Sequence, residues 1–257
     1  MSAYINYIEK NYTDWKNSGV CEMAVELNNS IGEQYFDESN PHFFTGDLKA
    51  ELVLVHLNPK RNKKDWGKKC LKENFDDYLN QYASFGKRTY GANSPRTHKS
   101  PFDHKQIRFL RPFNLLPFKE NDKYHNLETV IDKKLQLELV PYGSPNFDFK
   151  KIGLYPLKSH FENVLREIGS KKRKYVIFCG RVFEDLLSHY ITNRKDHSFK
   201  LVKNNGETTQ SYFNCINIQI KLGDVSFNAC VAPQFAKQGY PVERYGEKIK
   251  ELYGQYQ

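Results

Sequence analysis

The sequence predicts an α/β fold with three layers, helices covering both faces of a short, central, mainly parallel sheet. Three stretches carry that prediction. Residues 51–57 form a near-continuous apolar run rich in valine and leucine and closed by Asn58-Pro59, the pattern of a strand buried on both faces. Residues 159–191 read in succession as helix, strand, glycine turn and helix, a doubly wound unit. Residues 214–231 read as a hairpin whose second arm returns to the sheet.

Taken in order, residues 1–28 are helical, with Tyr4, Ile5, Tyr7, Ile8, Tyr12 and Trp15 as a stripe at i, i+3/i+4 spacing. Gly19 separates that helix from a second short one over Met23–Leu27. A turn-rich stretch follows to Gly46, so residues 1–46 are expected as a helical extension packed on a single domain spanning 1–257. The opening strand covers about 50–57, and Asn58-Pro59 stops it because proline donates no ladder bond and holds its predecessor extended. Asn74–Phe85 is a helix carrying Phe75, Tyr78, Leu79 and Tyr82. Phe102–Arg111 is a short helix, and 111–118 reads as a second strand ending at Pro117. Residues 127–140 are ambiguous between helix and strand, and 141–146 are a turn cluster. Ser159 and Glu162 form a capping box ahead of an apolar face made by Phe161, Val164, Leu165 and Ile168, with Gly169 as C-cap. Tyr175–Gly180 is a strand with its turn, Val182–Ile191 a helix, and Gly223-Asp224 the hairpin turn. Pro241 fits the first position of a last helix running to Gly254.

Bulk chemistry narrows the function. Lys and Arg number 39 against 30 Asp and Glu, a formal charge of +9, which favours polyanions, nucleic acid before anionic membranes. No apolar run approaches the ~20 residues of a membrane span, and the first residues lack a charged-then-apolar leader. The five cysteines are odd in number and contain no Cys-x-x-Cys, which argues for reduced thiols, a cytoplasmic protein, and neither a zinc ribbon nor a four-cysteine iron–sulfur cluster. His98, Asp103 and His104 match no zinc spacing, no glycine-rich phosphate loop with Lys-Ser/Thr is present, and no nucleophile elbow surrounds a Ser or Cys. No metal and no cofactor is expected.

Ligands of open α/β sheets bind beyond the carboxyl ends of strands. Three such ends carry polar or glycine turns: Leu57-Asn58-Pro59, Cys179-Gly180-Arg181 and Ala232-Pro233-Gln234. A fourth, around Asn114, adds an amide. Directly after Asn58 come Lys60, Arg61, Lys63, Lys64, Lys68, Lys69 and Lys72, with Asp65 the only acid and Trp66 among them. A second basic loop holds Lys87, Arg88, Arg96, His98 and Lys99.

On these residues the chain resembles the uracil-DNA glycosylase superfamily over about residues 50–254. Members have a short parallel sheet, a first motif of the form Gly-x-Asn/Asp-Pro at a strand end, a later strand ending in glycine before a helix, and a last loop that enters DNA before the C-terminal helix. The nearest branch is the thymine/mismatch-specific one, whose first motif reads Gly-Ile-Asn-Pro-Gly. Here it is His56-Leu57-Asn58-Pro59-Lys60, with both glycines replaced and Asn-Pro kept.

The resemblance implies a monofunctional DNA glycosylase that flips a base and hydrolyses its glycosidic bond without metal, leaving an abasic site. Asn58 then positions the attacking water; without the resemblance it would equally cap a turn before proline. Asn114 falls where relatives read the edge of the base. Uracil-specific members carry His-Pro-Ser in the last loop, where this chain has Ala232-Pro233-Gln234, so His56 or Gln234 would have to meet the leaving base. The departure points away from uracil, toward a bulkier modified base such as the glucosylated hydroxymethylcytosine of phage DNA, which phage-defence members excise. Phe75, Tyr90 and Trp66 are the aromatic candidates to stack on the flipped base, and Phe235 and Tyr240 the candidates to fill the gap it leaves. Lys60, Arg61, Lys63, Lys64, Arg181, Lys237 and Arg244 would hold phosphates of single- or double-stranded DNA. The expected state is a monomer. Two other classes stay open: a non-catalytic nucleic-acid-binding protein on the same fold, and a metal-dependent nuclease using Asp65, Asp76, Asp77 or Asp103.

Overall fold

The structure is a computed structural model; it describes residues 2–67, 74–94, 100–152, 155–203, 205–234 and 241–256. Its strands are β1 (Phe44–Gly46), β2 (Leu52–His56), β3 (Leu135–Glu138), β4 (Tyr175–Cys179), β5 (Ile191–Phe199), β6 (Phe213–Leu222) and β7 (Val225–Ala232). They form a seven-stranded mixed sheet in the order β1-β3-β2-β4-β7-β6-β5. The inner strands β3, β2, β4 and β7 lie parallel to one another, β1 pairs antiparallel with β3 on one side, and β6 pairs antiparallel with both β7 and β5 on the other. The expected α/β class with a largely parallel centre is therefore present.

All five residues of β2 are buried, and alternation sends them to two cores. Val53 and Val55 face one hydrophobic cluster, and Leu52 and Leu54 face another. The first cluster is covered by α1 (Ala3–Ser18), α2 (Glu22–Ile31), α3 (Phe75–Ala83), α7 (Lys158–Gly169) and α8 (Val182–Leu187). The second is covered by α4 (Phe85–Tyr90), α5 (Pro101–Leu110), α6 (Lys123–Lys133) and α9 (Val242–Gly254). Helices on both faces make three layers. The stripe Tyr4, Ile8, Tyr12 and Trp15 packs α1 into the same cluster as the sheet, and Gly19, at φ 80°, caps that helix in the left-handed region. No helix of the described residues is long and apolar enough to cross a membrane.

Three expectations are corrected. Residues 111–118 are not a strand. Arg111–Phe113 is a 3-10 turn that Asn114 closes with φ 56°, and Pro112 and Pro117 remove two ladder donors. The strand that follows β2 is β3, out of the stretch that read ambiguously. Ser159 is not a cap: Leu157 precedes α7 in helical backbone, φ −86° and ψ −15°, because a 3-10 turn at 155–157 runs straight into the helix. The helix after Gly180 ends at Leu187, and Ile191–Phe199 is an edge strand paired with β6. The remaining elements lie close to where the sequence puts them, the terminal hairpin and α9 among them.

Candidate functional site

From β2 the chain crosses to β3 on one side, then returns to β4 on the other. The strand order reverses there, so the carboxyl ends of β2 and β4 open a crevice, the place where open α/β sheets hold ligands. A cleft of about 930 Å³ occupies it, walled by Asn58 and Pro59 after β2, Ser144–Phe147 beyond β3, Gln234 after β7, and Phe102, Asp103 and Gln106 of α5.

Asn58 is held on one side only. Its Nδ2 donates to the carbonyls of Pro59 at 3.1 Å and Tyr142 at 3.3 Å, and to Ser144 Oγ at 2.8 Å. The Ser144 hydroxyl donates its only proton to the Asn146 carbonyl, so toward Asn58 it acts as acceptor. Three acceptors around one end of the amide fix which end is nitrogen. The Oδ1 of Asn58 receives no hydrogen bond from any described residue, and the side chain lines the cleft half-buried.

The floor of the cleft is polar, although it belongs to the sheet. Lys134, Gln136 and Glu138 alternate onto one face, and Glu138 stands beside His56 in the parallel register. Lys134 Nζ donates to Gln136 Oε1 at 2.7 Å, and Gln136 Nε2 donates to Glu138 Oε1 at 2.6 Å. Gln136 is thus an amide bridge between a buried ammonium and a buried carboxyl. Gln106 Nε2 reaches the same Gln136 Oε1 at 2.8 Å and lies 3.4 Å from His56 Nε2. Glu138 Oε2 is buried without a hydrogen-bond partner among the described residues.

Burial dominates the electrostatics. It pushes the Glu138 carboxyl up to about 7, against hydrogen bonding from Gln136 and the charge of Lys134. It pushes Lys134 down to about 7, against nearby carboxylates. His56 and His42, both lining the cleft, fall to about 3 by burial first and by Lys134 second, so both imidazoles are neutral. A carboxyl and an amine that both change charge near neutrality can give or take a proton under ordinary conditions, which makes the cleft a candidate functional site.

The structure brings together part of the set that the sequence proposes. Asn58, His56, Lys60 and Gln234 all line the cleft, and Arg181 lines a cavity beside it. Other positions lie away from it or outside the described residues. Tyr90 is fully buried, its hydroxyl donating to Asp103, and offers no open ring face. Phe75 packs on Tyr12 and Tyr78 in the core under α1. Trp66 does not line the cleft, and Lys63 Nζ lies 5.3 Å from the centre of its ring. Asn114 is exposed in its turn and does not line the cleft. Arg61 is committed to Asp37, which is 2% exposed, at 2.9 Å, and to the Asp65 carbonyl at 2.7 Å. Lys64 is exposed on the neighbouring turn, and Arg244 pairs with Glu247 on α9. Phe235, Lys237 and Tyr240 lie outside the described residues.

The aromatic rings that do line the cleft are Phe85, Phe102 and Phe147, with Phe102 edge-on to His56 at 5.2 Å. Sequence reading missed them, together with Gln106, Lys134, Gln136 and Glu138. The signal for the last three was present as Lys-Leu-Gln-Leu-Glu-Leu over 134–139, a strict two-residue alternation. Among the described residues no group of three or more His, Cys, Asp or Glu side chains is placed to hold a metal ion. No known protein-family model matches the chain, and no curated protein matches it significantly.

Proposed function

We propose that the chain is a DNA glycosylase that draws a base out of the strand into the Asn58 cleft and hydrolyses its N-glycosidic bond. One observation carries the reading: the Asn58 amide is pinned by its nitrogen, which leaves its carbonyl oxygen as a fixed acceptor at the switch point of the sheet. An acceptor of that kind orients water, and attack on an oxocarbenium-like sugar needs orientation more than deprotonation. The leaving base gathers negative charge, and Gln234, whose side chain lines the cleft, is the amide this reading assigns to donate to it. Glu138, titrating near neutrality, is suited to exchange a proton with water or base. A cleft of about 930 Å³ has room beyond a plain pyrimidine, in keeping with a bulkier modified base such as a glucosylated hydroxymethylcytosine.

The test is release of bases from DNAs carrying varied modifications, followed by alkali to cut abasic sites. Asn58→Ala is expected to abolish release while DNA affinity changes less than about twofold, because the lost contact acts on water and not on the strand. Unchanged turnover in that variant refutes the assignment. A pure binding protein gives no alkali-labile sites with any DNA, and a metal-dependent nuclease cuts directly and is stopped by EDTA.

A further inference from the structure

Beside the Asn58 cleft lies a second cavity of about 680 Å³, and Leu57, Phe147 and Gln234 line both. Its other walls include Phe149, Tyr212 and Asn214, with Arg181 at its rim. Tyr212 is 64% exposed, the most exposed of the large hydrophobic side chains among the described residues. Lys200 Nζ sits 4.9 Å from the centre of its ring. The described lining of the cavity includes one charged side chain, Arg181, and no carboxylate. Arg181 meets Glu184 at 3.2 Å with 69% of its own side chain exposed, a surface pair of the kind that contributes little and yields readily to a better anion.

An exposed aromatic ring with an ammonium near it and a guanidinium lining the same cavity, next to a cleft sized for a base, has the chemistry that receives an unpaired nucleotide. Base stacks on ring, and phosphate meets guanidinium. We infer that the second cavity is a subsite for the nucleotide next to the one held in the Asn58 cleft, its base on Tyr212 and its phosphate at Arg181. A neighbouring base reaches Tyr212 only when it is unpaired, so the ligand class is single-stranded polynucleotide or a strand already opened around the target. The inference rests on the proposed DNA substrate, but its test needs no base release.

The experiment is fluorescence anisotropy with the full chain and a short, unmodified, labelled DNA, offered single-stranded and as a duplex at fixed salt. The single strand is expected to bind about tenfold more tightly. Tyr212→Ala should weaken single-strand binding about tenfold and leave duplex binding unchanged, while Tyr212→Phe keeps it. Arg181→Ala should weaken single-strand binding and reduce its salt dependence by about one counterion. Because both side chains are exposed, circular dichroism should show unaltered folding. Equal affinity for the two DNAs, no single-strand binding at all, or a Tyr212→Ala protein that binds like the wild type overturns the inference. If single-strand binding behaves as expected while no DNA yields a free base, only the glycosylase reading fails. If bases are released while Tyr212→Ala is silent in binding, only the subsite fails.

Discussion

Replacing Glu138 by Gln should stabilise this protein above neutral pH and leave it nearly unchanged in acid. The carboxyl is raised by burial from 4.5 to about 7, so the folded state holds a proton that the unfolded chain has already lost. Its contribution is therefore complete below pH 4.5 and falls as pH rises through 7. Ionising it in place costs about 3 kcal/mol by pH 8. Gln keeps the bond from Gln136 Nε2 through its own carbonyl, and its NH2 takes the position of the unpartnered Oε2. An unmet amide donor there costs about 1 kcal/mol, which leaves a net gain of about 2 kcal/mol at pH 8 and close to nothing at pH 5. Lys134 has the opposite sign: lowered from 10.5 to about 7, it withdraws stability as pH falls through that span in both proteins, and so cancels from the comparison to first order. Urea unfolding followed by tryptophan fluorescence at the two pH values measures the difference. A variant destabilised equally at both would show that Glu138 is a satisfied structural carboxylate, and the reading of the cleft floor as a proton-exchanging site would fall with it.

Arg61→Ala should unfold more easily, by about 3 kcal/mol, since it strands the carboxylate of Asp37 in the core, whereas loss of a mere phosphate contact would lower DNA affinity and leave the urea midpoint alone. Gly46→Ala should cost more than about 2 kcal/mol: the residue has φ 94°, and a Cβ there would overlap the Lys134 carbonyl, so the substitution pushes β1 away from β3. A thermal melt within two degrees of wild type would contradict that account.

Much of the frame was legible because its elements are periodic and flanked by clear punctuation. The run 52–56 cannot alternate polar and apolar if both faces are buried, and Pro59 marks its end, so strand and turn could be placed together. The same logic located β4, the terminal hairpin and the helices around Gly19. What failed was locally contradictory. The segment 111–118 is rich in Phe and Leu but twice interrupted by proline, and burial of Phe113 beside α9 accounts for its apolar character without a strand. Residues 134–139 alternate, but their polar members turn inward to a cleft, where a solvated face would ordinarily be expected. The edge strand β5 presents Arg194, Lys195 and Asp196 to solvent, which protects an edge and hides its strand character. Asn58 was legible because one strand end defines it. The floor was not, because Gln106 reaches it from α5 and Glu138 from β3, a proximity that only the folded chain creates.

The sheet order also sets a sequence of events in time. Strand β7 lies between β4 and β6, and the last wall of the cleft, Gln234, follows it directly. Asn58 and Gln234 are brought together only by parallel pairing across most of the chain, the slowest kind of contact to close. During synthesis the Asn58 loop therefore emerges long before the wall that completes the cleft. A nascent chain lacking β7 would carry the Asn58 loop without Gln234, so the cleft is complete only once the last strand has paired.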